Sequence, residues 1–123
     1  MRASEVVAAY GAAWDEPDEA KRREVLETAW SEGGLYLDLT GRADGREALV
    51  RHIGGFRDAM PGHRILMASG VDEHDGYLRF AWKVIDPKGN EVMEGCDFGA
   101  LDAEGKLKMI VGFFGPWPEP SDG

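Results

Sequence analysis

The sequence predicts an α+β domain in which three N-terminal helices pack on one face of a curled, mostly antiparallel sheet. Two observations carry this. Apolar residues recur at helical spacing up to Pro61-Gly62, interrupted by one short alternating run, and at a period of two thereafter. The later alternating runs are separated by Asp75-Gly76, Pro87-Lys88-Gly89 and Ala103-Glu104-Gly105, short turn sequences that make successive strands antiparallel. The order helix, helix, strand, helix, four-stranded meander places the helices together against one sheet face.

Each element has its own signal. Val6, Val7, Tyr10, Ala13 and Trp14 form the apolar stripe of a first helix, with Ser4 placed to cap it. A second helix opens near Pro17 and Asp18, presents Val25, Leu26, Ala29 and Trp30, and is expected to stop at Gly33-Gly34. Leu35, Leu37 and Leu39 alternate with Tyr36 and Asp38, which predicts a strand with one apolar face and with Tyr36 and Asp38 on the other. Gly41 to Gly45 reads as a loop, and Asp44 with Glu47 as a capping box opening a third helix whose buried stripe is Leu49, Ile53, Phe56 and Met60. Gly54-Gly55 inside that helix costs about 1 kcal/mol each relative to alanine, so a bend or a close backbone approach is expected there. Strands follow near 63–74, 77–86, 91–102 and 106–114, giving a single domain over 1–115 and a C-terminal tail over 116–123.

Composition narrows the function classes. A chain of 123 residues with 43% hydrophobic content and four tryptophans has one packed core and room for one site. Its formal net charge of -9 disfavours nucleic acid and anionic lipid as partners. The densest basic cluster, Lys21-Arg22-Arg23, is followed by Glu24 and Glu27 and reads as a solvated, ion-paired face. A lone cysteine, Cys96, excludes an internal disulfide and fits a reducing compartment. The first fifteen residues lack the unbroken apolar run of a signal peptide or membrane span, so a cytoplasmic protein is expected. His52, His63 and His74 stand in no metal-ligand spacing, and no metal or other cofactor is expected. His52 lies at the edge of the third helix's apolar stripe, where it can touch a pocket.

The first helix with Tyr10, the strand Tyr36-Leu37-Asp38, the helix opening at Gly45-Arg46-Glu47-Ala48-Leu49 and the strand Gly95-Cys96-Asp97-Phe98 together resemble the nuclear transport factor 2-like superfamily, of the SnoaL-like and ketosteroid isomerase-like type, over residues 3–115. The resemblance implies a cone-shaped barrel around one apolar pocket for a small organic molecule. It also implies either a cofactor-independent isomerase or cyclase acting on an apolar carbonyl compound, or a non-catalytic binding or interaction module of the same fold. Tyr10, Asp38 and Asp97 match three functional positions of the ketosteroid isomerases. There the resemblance implies Asp38 as general base, with Tyr10 and a protonated Asp97 donating hydrogen bonds to a developing enolate oxygen.

The residues themselves leave alternatives open. Asp38 can point into a cavity or toward a polar rim. Asp97 shares a strand face with Gly95 and Gly99, which suggests space over a buried acid, and equally it can bond only a neighbouring amide or indole N–H. If the Asp86–Glu91 hairpin keeps a four-residue loop, Asp97 lies opposite Phe80 and Gly95 opposite Trp82. Tyr10 is a core aromatic whose hydroxyl needs a partner. Trp14, Phe56, Met60, Phe80, Trp82 and Phe113 are the expected pocket wall. A homodimer is expected, because the last two strands are apolar on both faces, with Leu107, Met109, Val111 and Phe113 on one and Ile110 and Phe114 on the other.

Overall fold

In the computed structural model, which describes residues 1–122, helices α1 (Ala3–Trp14), α2 (Glu19–Ala29) and α3 (Arg46–Ala59) cover the concave face of a curled sheet. Its strands are β1 (Trp30–Asp38), β2 (Gly41–Asp44), β3 (Arg64–Met67), β4 (Asp72–His74), β5 (Tyr77–Ile85), β6 (Glu91–Leu101) and β7 (Leu107–Phe114). Among the described residues the strand order is β2-β1-β7-β6-β5-β3, with β4 also on β5. Every pairing is antiparallel except β1 with β7. The sheet does not close, and sheet plus helices make a cone with the core inside. Trp30, Leu26, Leu49, Ile53, Leu107 and Ile110 are fully buried there, each worth about 1.5–3 kcal/mol of apolar transfer. No helix among the described residues is long and apolar enough to cross a membrane.

Several boundaries differ from the sequence reading, each for a local reason. The N-cap of α1 is Arg2, not Ser4, and its backbone N–H is satisfied by the Glu5 carboxylate at 2.9 Å. Helix α2 is capped by Asp18, whose side chain accepts from the Lys21 N–H, but ends at Ala29. Trp30 is already strand, and Gly33-Gly34 sits in an irregularity between Trp30 and Leu35 where β1 pairs with β7. A Cβ on Gly34 would lie 2.5 Å from Trp30 Nε1, so the glycine makes room for the folded-back indole rather than stopping a helix. Residues 41–44 are a strand paired in register with β1 rather than a loop. The α3 cap is Gly45 at φ 91° without a side-chain cap. Asp44 instead takes Arg42, and Glu47 takes Arg23. The run 63–74 is broken into β3 and β4. Beyond β7 the chain carries a short 3-10 turn at Pro120–Asp122, and Gly123 of the tail lies outside the described residues.

Arg22 is the largest departure on the helical side. It is 2% exposed rather than solvated. Its guanidinium donates to the carbonyls of Glu16 (2.9 Å), Pro17 (3.3 Å) and Val50 (3.2 Å), tying the α1–α2 turn to α3. A Cβ on Gly54 would sit 3.1 Å from Arg22 Nη1. The close approach expected at Gly54-Gly55 is thus that of a buried arginine, each of whose three guanidinium nitrogens donates to a backbone carbonyl.

Candidate active site

The inner face of the sheet is fixed by two registers. Phe80 pairs with Asp97 and Trp82 with Gly95, as the hairpin reading has it. The hairpin loop holds five residues rather than four, and a bulge between Val84 and Ile85 restores the register. A second bulge, between Ala100 and Leu101 where β6 meets β7, shifts β7 by one residue and sets Asp97 opposite Gly112 and Gly95 opposite Phe114. Leu107, Ile110, Gly112 and Phe114 therefore turn inward, and Phe113 turns out, 60% exposed. Phe113 is not a pocket residue; Phe114 takes that place.

Between these strands and the helices lies a cavity of about 370 Å³, within the range of small-ligand sites. Helix α1 contributes Tyr10 and Trp14, α3 contributes His52 and Phe56, and Met60 follows at the α3 C-cap. The sheet contributes Tyr36 and Asp38 from β1, Phe80 and Trp82 from β5, Met93 and Asp97 from β6 and Phe114 from β7. Tyr10, Asp38 and Asp97 thus line one cavity, with every expected wall residue except Phe113. The aromatic rings brace one another: Tyr10 stacks on Trp30 at 5.6 Å, and Trp14 meets Tyr36 at 5.6 Å and Phe56 at 5.5 Å.

The two acids sit in opposite environments. Asp97 is 6% exposed, and its Oδ1 accepts from the Trp82 indole at 2.9 Å. The flanking glycines do not leave empty space over it. A Cβ on Gly95 would fall 2.4 Å from the Trp82 ring, and one on Gly99 would lie 2.8 Å from Ile110 Cδ1. Gly95 accommodates the indole that bonds Asp97, and room for the carboxyl comes from Gly112, where a Cβ would lie 2.9 Å from Asp97 Oδ1. Burial pushes the Asp97 carboxyl up to about 7, the Trp82 N–H opposing and the Asp38 charge adding to the rise.

For Asp38, burial also favours the neutral form, but the His52 imidazole 3.8 Å away and hydrogen bonds from Thr40 and Tyr36 overcome it and hold the carboxyl well below the usual range. The Tyr36 hydroxyl donates to Oδ2 at 2.5 Å. Oδ1 accepts from the Thr40 hydroxyl (2.6 Å), the Thr40 N–H (2.7 Å) and the Gly41 N–H (3.2 Å), so the tight turn into β2 wraps the carboxylate. Tyr36 is pushed up by burial and by Asp38, and Tyr10 by burial and then by the negative charge of Asp97, so both keep their hydroxyl protons. Sequence reasoning gave Tyr36 and Thr40 no role in the site. The Tyr36-x-Asp38 spacing on one strand face was the signal for the first, and the second needed the turn to be recognised.

No protein-family model matches the chain, and no curated protein matches it. Solved structures do. A SnoaL-like family protein from Agrobacterium tumefaciens str. C58, described as a candidate isomerase, is 32% identical with a TM-score of 0.89, covering 94% of this chain and 100% of its own. An NTF2-like protein of unknown function from Exiguobacterium sp. 255-15 is 17% identical (TM-score 0.72; 91% of this chain, 99% of its own). A candidate SnoaL-like polyketide cyclase from Jannaschia sp. CCS1 is 14% identical (TM-score 0.67; 89% and 84%), and these last two share the fold. Full-length coverage at 32% identity, on an NTF2-like cone with its acids inside, identifies this chain as a member of the SnoaL-like family.

Proposed function

We propose that the protein binds a small, apolar carbonyl compound and catalyses cofactor-independent proton transfer on it, of isomerase or cyclase type. The observation that carries this reading is the pair of acids on one apolar cavity, Asp97 favoured neutral and Asp38 favoured charged. Proton abstraction beside a carbonyl needs a basic pole to take the proton and a neutral donor to hold the enolate oxygen as charge develops. Asp97 and Tyr10 form the donor pole, and the Asp38 carboxylate with its neighbours forms the basic pole. The apolar wall strengthens both by excluding water. The names of the isomerase and cyclase among the similar structures fit this chemistry.

A second reading, a non-catalytic binding module, is favoured by one observation: the Asp38 oxygens already accept four hydrogen bonds, all from β1 and the turn that follows. The experiment that separates the readings uses 2-naphthol and 2-tetralone, titrated against tryptophan fluorescence, with deuterium exchange of bound 2-tetralone followed by NMR. Proton transfer requires binding of both and exchange faster than in buffer. Binding without acceleration leaves a binding module, and no binding of either removes both readings.

A further inference from the structure

We infer that His52 is the side chain that takes and returns the ligand's proton, with Asp38 as its counter-ion; this rests on the proton-transfer reading above. A carboxylate offers about four lone-pair sites. Asp38 Oδ1 takes three donors, the Thr40 hydroxyl and the Thr40 and Gly41 amides, and Oδ2 takes one, the Tyr36 hydroxyl. Oδ1 is therefore saturated by the turn that forms the β1–β2 hairpin, and the one site left, on Oδ2, has His52 Nε2 3.8 Å away.

His52 has the opposite character. Its Nε2 lies 3.8 Å from Asp38 Oδ2, too far for a hydrogen bond and near enough for an ion pair. The ring is held between pocket walls, 5.1 Å from the Tyr36 ring and 6.1 Å edge-on from Trp14. Behind it stands the hairpin, with His52 Cε1 3.4 Å from where a Gly41 Cβ would be. The histidine side chain is 20% exposed against 5% for Asp38, so a ligand reaches the imidazole before the carboxylate.

In the step assigned, a C–H bond beside the carbonyl breaks and its proton goes to His52 Nε2. The electron pair forms the enolate double bond, and the oxygen accepts from the Asp97 carboxyl and the Tyr10 hydroxyl. The positive charge this puts on the ring is offset by the Asp38 carboxylate, whose Oδ2 lies 3.8 Å from Nε2. Return of the proton to the same or a conjugated carbon restores the site, and nothing is oxidised or reduced. Asp38 in this scheme is a positioning residue.

The test is α-proton exchange of 2-tetralone in deuterated buffer, with affinity read separately from tryptophan fluorescence. His52→Gln and His52→Asn should each slow exchange about 100- to 10,000-fold, the usual cost of losing a general base. Affinity should move by no more than about threefold, and added imidazole should restore part of the rate. His52 variants that exchange at the wild-type rate while Asp38→Asn is inactive would overturn the assignment in favour of Asp38 and leave the proton-transfer reading standing. Wild-type protein that binds 2-tetralone and exchanges it no faster than buffer would overturn that reading and the assignment with it.

Discussion

Asp38 and Asp97 meet across Gly112: a Cβ on that residue would lie 2.9 Å from Asp97 Oδ1 and 3.5 Å from Asp38 Cβ. The missing side chain lets two carboxyl groups from strands on either side of β7 share one cavity wall. Gly112→Ala should push the Asp97 carboxyl off Trp82 Nε1, costing about 1–3 kcal/mol as an overpacked site. Binding of 2-naphthol should weaken more than binding of naphthalene. Urea unfolding and fluorescence titration check the two parts, and an unchanged variant would mean the acids do not depend on this gap.

Stability should depend on pH in a direction unusual for an acidic protein. The Asp97 carboxyl titrates near 7 in the native state against about 3.8 in the unfolded chain, so over that window the native state holds a proton that the unfolded chain has released. Its contribution is full below pH 4 and is lost as pH rises through about 7, a fall on the order of a few kcal/mol. Asp38 works the other way: its native value is depressed, so its contribution is present above about 4 and is lost as pH falls into the acid range. Asp18, Asp44, Glu47, Asp86 and Asp102 are also held low and add to the acid-side loss. Urea denaturation should therefore show wild type less stable at pH 8 than at pH 5, and Asp97→Asn with a much smaller difference. A flat wild-type profile between those values would contradict the placement of Asp97.

The two glycines of α3 should respond oppositely to alanine. Gly55 has nothing within 4 Å of an added Cβ, so Gly55→Ala should stabilise by up to about 1 kcal/mol through helix propensity alone. Gly54→Ala meets the Arg22 guanidinium at 3.1 Å, and this guanidinium cannot give way without leaving the carbonyls of Glu16, Pro17 and Val50. It should gain less than Gly55→Ala or lose stability. Thermal melts of the two variants check the difference, and equal gains would show that Arg22 shifts freely.

What the sequence made legible depended on whether the deciding interaction was local. The β5–β6 register was readable because turn residues bracket the hairpin, and its bulge restores the pairing that a simple loop would give. The β6–β7 bulge does the reverse, moving every β7 residue after it by one, and so Phe113 and Phe114 exchange faces with no mark in the alternation itself. The α2 boundary was missed because no breaker separates Ala29 from Trp30, and Gly33-Gly34 answers to the Trp30 indole, not to a helix end. Arg22 looked like one of three surface cations because its three acceptors are carbonyls from two other segments. Asp38 and Asp97 were recognisable as candidates. Their separation in protonation was not fixed by pattern, since it needs the donors around one and the burial of the other.

The convex face of the sheet carries Leu35 and Leu37 beside Met109 and Val111, with Phe98 against Val111 and Cys96 against Phe113. Phe98 stacks on Tyr77 at 6.2 Å, and both residues are about half exposed. We propose that a second copy of the chain covers this face, as an apolar patch continuous over four strands is costly in water. Sedimentation at micromolar concentration should give a dimer that Phe113→Glu converts to monomer. A wild-type monomer would leave the face without this partner.

Carbon-13 NMR titration of the Asp97 and Asp38 carboxyl carbons, assigned with the two single Asn variants, decides whether one cavity holds a neutral acid and a charged one. The Asp97 midpoint should fall near 7, and the Asp38 carboxylate should stay ionised throughout the range where the protein is folded. Both carboxyls titrating together near the ordinary value of about 4 would contradict this.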